Sequence, residues 1–314
     1  MDITFGPVPS RRLGRSLGIN HIPPKHCTYS CRYCQVGPTR HQEIERRAFY
    51  TTEEVCRDVT RRVEALRAQG EAVDFLTFVP DGEPTLDSHL GATIDALRPL
   101  GLPIAVISNA SLIWRDDVRA DLAKADWVSL KVDSVDAATW RALNQPHPDL
   151  QLDTILAGIR SFAGVYRGTL ASETMLVAGV NDDAAAVTAV ADFLAGAGIR
   201  LAYLAIPHRP PADSAVSCPD ESLVTRAWHI LQDRLPQVEL LTAYEGDVFS
   251  PSGDPGSELL AIAAVHPMRE SAVQALLARA GADRKVLDEL LRAGSLRQVD
   301  YAGETFYIRQ LRQE

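Results

Sequence analysis

The chain has 314 residues, 46% hydrophobic and 23% charged, with a formal net charge of −9. This composition excludes a disordered polymer and suits a globular protein of one large domain or two unequal ones. With neither a signal-peptide stretch nor a long apolar run, a cytoplasmic, membrane-free protein is expected, and the net acidity argues against nucleic-acid binding through a broad basic surface.

From about residue 17 to 242, short β-branched apolar runs alternate with helix-period segments. The first predicted strand is SLGIN at 16–20, inside a basic segment: residues 1–50 hold eight arginines and lysines against three acids. Arg11, Arg12 and Arg15 precede that strand and Arg32 follows it; they read either as a solvated face or as an anion-facing rim over the next loop, where Arg11 and Arg12 are substrate candidates. That loop, KHCTYSCRYCQVG at 25–37, crowds Cys27, Cys31 and Cys34 into eight positions. Thr51 and Glu54 predict a capping box for a helix over 52–69, ended by Gly70. A strand at 73–79 runs into Pro80-Asp81-Gly82-Glu83-Pro84, and a strand at 103–108 ends on Ser108-Asn109. In the strand at 127–133, Lys131 and Asp133 alternate with apolar residues, so both face inward, toward a ligand or each other. Glu173 and Met175 share a face of the strand at 169–177, which leads to Asn181-Asp182; the strand at 200–206 leads to His208-Arg209-Pro210-Pro211, where Arg209 is placed to clamp an anionic substrate group.

With helices near 88–99, 115–124, 151–163, 183–196 and 220–234, these strands make six βα units. The expected fold is α/β, a partial (β/α)6 parallel barrel whose functional groups gather at the C-terminal strand ends. Residues 243–258 are rich in Gly, Pro and Ser, which sets a barrel domain over 1–243, a linker over 244–256 and a small domain over 257–314. That tail predicts helices near 257–264, 270–279 and 283–293 and a hairpin turning at Ala302-Gly303, a winged-helix-like module. It holds eight basic and eight acidic residues, so charge favours packing or substrate docking over duplex recognition.

Three thiols this close do not form an extracellular disulfide framework; in a reducing compartment they read as metal-binding or redox-active. A structural zinc site would need a fourth protein ligand, for which His21 and His26 are the candidates. A four-iron cluster on three cysteines instead leaves one iron open to a chelating small molecule. Cys56, inside a predicted helix, reads as a core or surface thiol, and Cys218 as a free loop thiol.

The cysteine loop resembles that of the radical S-adenosylmethionine superfamily, whose three cysteines are spaced four and three apart with an aromatic before the last; Tyr33 takes that place. The resemblance implies a [4Fe-4S] cluster on Cys27, Cys31 and Cys34 whose open iron is chelated by S-adenosylmethionine. It further implies reductive cleavage of that molecule to a 5′-deoxyadenosyl radical for hydrogen abstraction, and an electron donor such as flavodoxin or ferredoxin. The stretch Asp81-Gly82-Glu83-Pro84 resembles the family's Gly-Gly-Glu-Pro motif with aspartate in place of its first glycine. This implies backbone binding of the methionyl ammonium, with Glu83 closing the charge balance. Tyr33, Ser108, Asn109, Lys131, Asp133 and Asn181 are further cofactor-binding candidates, although Ser108-Asn109 and Asn181 also suit plain helix starts.

FGPVPSRRLGRSLGIN, TFVPDGEPTL, ETMLVAGVND and HRPP together are similar to bacterial and archaeal proteins distantly related to the tricyclic wyosine-base synthase that modifies transfer RNA. That synthase carries a second cysteine triad, which Cys56 and Cys218 do not supply, so its chemistry on pyruvate is not expected here. The substrate then reads as a tRNA nucleotide, in keeping with the basic N-terminus, or as a peptide or protein docked by the tail. The alternative is a non-enzymatic iron–sulfur redox sensor that binds DNA; such a protein has no need of the Asp81-Gly82-Glu83-Pro84 loop.

Overall fold

The N-terminal segment folds as a hairpin that its prolines conceal from pattern reading. The computed structural model describes residues 3–241 and 254–310. Strand β1 (Thr4–Ser10) runs antiparallel to β2 (Gly14–Ile19), and as an edge strand it tolerates Pro7 and Pro9, which lack the N–H that a central strand needs. Within the cysteine loop, β3 (His26–Cys27) and β4 (His41–Gln42) form a two-residue clip. Helix α1 (Thr52–Ala68) carries the Thr51–Glu54 capping box. Then follow β5 (Phe75–Phe78), α2 (Leu90–Leu97), β6 (Ile104–Ser108), α3 (Asp116–Leu122), β7 (Trp127–Lys131), α4 (Ala137–Asn144) and α5 (Leu152–Val165). The series ends with β8 (Thr169–Met175), α6 (Ala184–Gly196), β9 (Leu201–Ala205), α7 (Glu221–Gln232) and β10 (Gln237–Leu241).

The sheet order is β1-β2-β5-β6-β7-β8-β9-β10, parallel from β2 onward, curled into the expected partial barrel. Two edge strands add to the six anticipated: β1, masked by proline and glycine, and β10, five residues directly after a helix. The outer face of the sheet buries Leu17, Ile19, Leu76, Phe78, Val106 and Val128 completely under the helices, each contributing about 1.5–3 kcal/mol. Inside the barrel a smaller apolar layer holds Ala105, Trp127, Ala171, Tyr203 and Leu241, joined by Leu13 from the β1–β2 turn. Arg11, on the same turn, donates to the carbonyl of Leu240 on β10, at the opposite edge of the sheet. The turn therefore lies across the barrel interior and spans its open side.

The tail comprises α8 (Pro255–Val265), β11 (Met268–Arg269), α9 (Glu270–Arg279), α10 (Lys285–Arg292), β12 (Leu296–Tyr301) and β13 (Glu304–Arg309). Its three strands pair antiparallel in the order β11-β13-β12. The hairpin turns where expected, at Ala302 (φ 50°) and Gly303 (φ 79°), the pair of left-handed residues that a type I′ turn requires. Most of the proposed linker, residues 244–253, lies outside the described residues. The tail's apolar cluster takes in Phe5 of β1, with Val8 and Val79 packed against it, and Glu258 of α8 pairs with Arg62 of α1 at 2.6 Å. No helix among the described residues is long and apolar enough to cross a membrane.

One glycine makes that docking possible. A Cβ on Gly18 would lie 2.0 Å from the ring of Phe5, so Gly18→Ala is expected to destabilise the fold by about 1–3 kcal/mol through overpacking. Gly164→Ala, at a helical site with open space, is expected to be neutral or stabilising; urea denaturation of the two variants checks the contrast.

Candidate active site around the cysteine loop

The cysteine loop leaves the end of β2 and crosses the C-terminal ends of the parallel strands. Its anchors are main-chain bonds. A parallel bridge joins His26 to Gly82 and an antiparallel one joins Tyr29 to Pro146, while Arg32 N–H donates to the Leu143 carbonyl at 3.0 Å. Two tight turns, from Cys34 N–H to Cys31 O and from Gly37 N–H to Cys34 O, bring the thiols to one side. Cys27, Cys31 and Cys34 all line one cavity of about 290 Å³. His21 and His26 do not line it: His21 donates through Nε2 to the Pro84 carbonyl and His26 pairs with Glu43, so neither serves as the fourth ligand of a zinc site here.

Burial raises the pKa of all three thiols, with Glu83 adding to the rise at Cys27 and with Cys31 reaching about 12. Without metal they are protonated at neutral pH, and metal binding must displace those protons. The surroundings suit bound thiolates. Asn109 Nδ2 donates to Cys27 Sγ and Asn144 Nδ2 to Cys31 Sγ, each at 3.5 Å, and the charges of Lys25 and Lys131 act on Cys34 to favour its thiolate. Among the described residues no three His, Cys, Asp or Glu side chains close on a single-ion position; the thiols border one space instead, as a cluster with a separate iron for each cysteine requires.

The Pro80–Pro84 turn packs directly on this loop. A Cβ on Gly82 would sit 2.0 Å from the His26 carbonyl oxygen, so only glycine allows the approach. Asp81 is buried beside Lys25, with Nζ 3.1 Å from Oδ1, and burial raises its pKa to about 6. Glu83 is 1% exposed. Its Oε1 accepts from Thr85 N–H (3.0 Å), the Thr85 hydroxyl (2.6 Å) and the Ser108 hydroxyl (2.7 Å), and its Oε2 from Asn109 N–H (2.8 Å). A carboxylate offers about four lone-pair sites, so these four donors leave Glu83 no vacant acceptor toward the cavity.

Ser108, Asn109, Lys131, Tyr33 and Arg209 also line the cavity. Lys131 donates to Glu173 Oε1 at 2.8 Å, lies 3.9 Å from Asp133 and sits over the Tyr33 ring. Two candidates fall outside. Asp133 turns behind Tyr33, where it accepts from the Tyr33 hydroxyl, Asn144 Nδ2 and Met175 N–H, and Asn181 spends its amide on the carbonyls of Asp133 and Met175 and on Val177 N–H. Both reinforce the strand ends.

The expected rim of arginines above the cluster does not form. Arg11 is exposed on the turn across the barrel, Arg15 pairs with Glu71 and Arg32 with Asp213. Arg12 alone of these enters the cavity, where it pairs with Glu173. Sequence reasoning missed Lys25, Asn144, Glu173 as the partner of Arg12, and the tail's contribution. Val265 of α8 lines the cavity, and its carbonyl accepts from Gln35 Nε2 at 3.1 Å. Arg209 donates to Gln35 Oε1 (2.8 Å) and to His266 Nε2 (3.0 Å). Cys56 sits half-buried on α1, and exposed Cys218 donates to the Pro207 carbonyl. Glu83→Gln turns an amide toward donors that now meet a carboxylate, so it is expected to lower stability by about 1–3 kcal/mol and to reduce iron retention, because Asn109 no longer steadies Cys27. Chemical denaturation and iron analysis measure both.

The family model of the Radical SAM superfamily matches residues 22–189. A UPF0026 protein of Methanocaldococcus jannaschii is 42% identical over 314 residues, covering 99% of this chain and 97% of that protein. Among solved structures, a radical SAM methyltransferase from Sphaerobacter thermophilus aligns with a TM-score of 0.55 at 17% identity, over 73% of this chain and 67% of that one. Streptococcus suis SuiB bound to S-adenosylmethionine aligns with a TM-score of 0.52 at 14% identity, over 71% of this chain and 49% of that one. At these identities the structural likeness is one of fold. The sequence match, spanning more than half of the chain and including the cysteine loop, makes this protein a member of the radical SAM superfamily, whose enzymes use a [4Fe-4S] cluster and S-adenosylmethionine.

Proposed function

We propose that Cys27, Cys31 and Cys34 hold the cluster, that S-adenosylmethionine binds over it in the same cavity, and that the enzyme abstracts hydrogen from a substrate enclosed there. The observation that carries this reading is the single cavity shared by the three thiols, the Asp81–Glu83 turn, Asn109 and Lys131. When bound, the cluster and S-adenosylmethionine supply reductive cleavage to a 5′-deoxyadenosyl radical. The chain's residues hold and shield. Lys25 and Asp81 offer a complementary ion pair beside Cys34 for the charged methionyl group; Ser108 and Asn109 fix the turn through Glu83; Asn109 and Asn144 donate to the cluster thiolates.

The tail reads as a winged-helix-like domain acting as a wall of the substrate chamber, since Val265 and His266 meet the cavity and Arg209. Its balanced charge supports docking of a substrate, a tRNA nucleotide or a peptide, over the sensor that binds duplex DNA. An electron donor of flavodoxin or ferredoxin type completes the reaction.

Anaerobic reconstitution tests this directly. Wild-type protein is expected to take up about four irons per chain and to change its reduced spectrum when S-adenosylmethionine binds. Cys27→Ala, Cys31→Ala and Cys34→Ala each lose the cluster, whereas Cys56→Ala keeps it. Stoichiometric zinc with no iron uptake overturns the reading.

A further inference from the structure

Among the described residues, five of the buried side-chain polar atoms without a conventional hydrogen bond belong to residues lining the cavity; Lys25 Nζ and Asp81 Oδ1 face each other as an ion pair at 3.1 Å, which leaves Arg12 Nε, Ser129 Oγ and His208 Nε2 with no partner. Folded proteins pair nearly all buried polar atoms with protein, water or ligand, so the three without a protein partner are placed to meet a bound molecule. The five divide by position. Lys25 and Asp81 lie together beside Cys34, at the end assigned to S-adenosylmethionine. The other three gather round Glu173.

Glu173 is the hub of that second group. Its two oxygens take Arg12 Nη1 and Lys131 Nζ. In the sheet register Lys131 stands opposite Glu173, which stands opposite Tyr203, and the Arg12 guanidinium lies over the Tyr203 ring. Ser129 is two residues before Lys131 and shares its face. His208 follows β9 closely enough for the charge of Glu173 to act on it. Its Nδ1 lies 3.1 Å from the Ile206 carbonyl, which places the ring proton there and leaves Nε2 as an acceptor. Burial, with Arg209 beside it, holds the ring neutral. Lys131 is occupied between Glu173 at 2.8 Å and Asp133 at 3.9 Å, but Arg12 keeps its Nε–H and Ser129 its hydroxyl.

We propose that Arg12, Ser129 and His208 form the substrate subsite, and that it takes a compact oxyanion with a neighbouring hydroxyl group. The oxyanion accepts from Arg12 Nε–H and from the Ser129 hydroxyl, and the ligand's own hydroxyl donates to His208 Nε2. A guanidinium donor favours a charged acceptor over a neutral one. The cavity lining carries four cations, Arg12, Lys25, Lys131 and Arg209, against the carboxylates of Asp81, Glu83 and Glu173. The cavity of about 290 Å³ is shared with the cluster and S-adenosylmethionine of the proposed reading, so the part open to a substrate group is small. Carboxylate and phosphate share this chemistry, and the test separates them.

This inference rests on reading the cavity as the substrate chamber of a radical enzyme. Calorimetry on anaerobically reconstituted protein uses D-glycerate and glycerol 3-phosphate as probes, with propionate and glycerol as controls that each lack one of the two features. At least one hydroxylated anion is expected to bind ten or more times tighter than both controls; the tighter of the two identifies the anion. Ser129→Ala and His208→Leu are each expected to weaken that binding about tenfold, the loss of one hydrogen bond, while His208→Gln, which keeps an acceptor, recovers most of it. Should His208→Leu not fold, Ser129→Ala and His208→Gln decide. No preference over the controls, no binding of any probe, or variants that bind as wild type overturn the subsite. Iron content and S-adenosylmethionine binding of the wild type are measured separately, so failure of the radical reading is distinguishable from failure of this one.

Discussion

One buried carboxylate holds the site together. Burial pushes the pKa of Glu83 up, and four donors drawn from its own turn and from the end of β6 act against that rise. Hydrogen bonds to a charged group are worth about 1.5–3 kcal/mol each, set against a desolvation cost of several kcal/mol. The result is geometric. The Glu83 turn, the Ser108–Asn109 turn and, through Asn109, Cys27 are tied into one rigid unit, against which Gly82 lets the main chain of His26 pack. A ligand set for a cluster needs this rigidity, because three thiols on a loop hold one geometry only if the loop itself cannot drift.

Enclosure of the cavity comes from two segments that are not part of the βα series. The β1–β2 turn crosses the barrel interior and inserts Arg12, whose charge is met by Glu173. The tail closes another side through Val265 and through the Arg209 contacts with Gln35 and His266. Gln35 directly follows Cys34, so the tail, the loop after β9 and the cysteine loop are mechanically joined. A reactive radical requires a chamber from which water and adventitious hydrogen donors are kept out, and a half-barrel with one open side does not provide it unaided.

The two asparagines at the thiols show how loops far apart in sequence share one task. Asn109 directly follows β6 and Asn144 ends α4, yet each donates to a different cysteine. Asn144 also binds Tyr33 and Asp133, so the aromatic before the third cysteine is held from behind by residues that never face the cavity. Asp133 and Asn181, expected at the cofactor, belong to this supporting layer.

What the sequence by itself determined was whatever depends on neighbours along the chain. The cysteine spacing, the Gly82–Glu83 turn, the Thr51 cap, the parallel strands and the Ala302-Gly303 hairpin are local patterns, and the structure forms each of them. Only the tertiary structure decided which polar side chains meet the cavity. Arg12 and Glu173 are 161 residues apart, Tyr33 and Asp133 100, and Arg209 and His266 57. Period two turned both Lys131 and Asp133 inward, but β7 ends at Lys131, and past a strand's end the alternation no longer constrains direction. Clustered positive charge likewise said nothing of position: a turn of three residues moved Arg12 into the barrel and left Arg11 at its surface, because a guanidinium is buried only where a carboxylate on another strand compensates it.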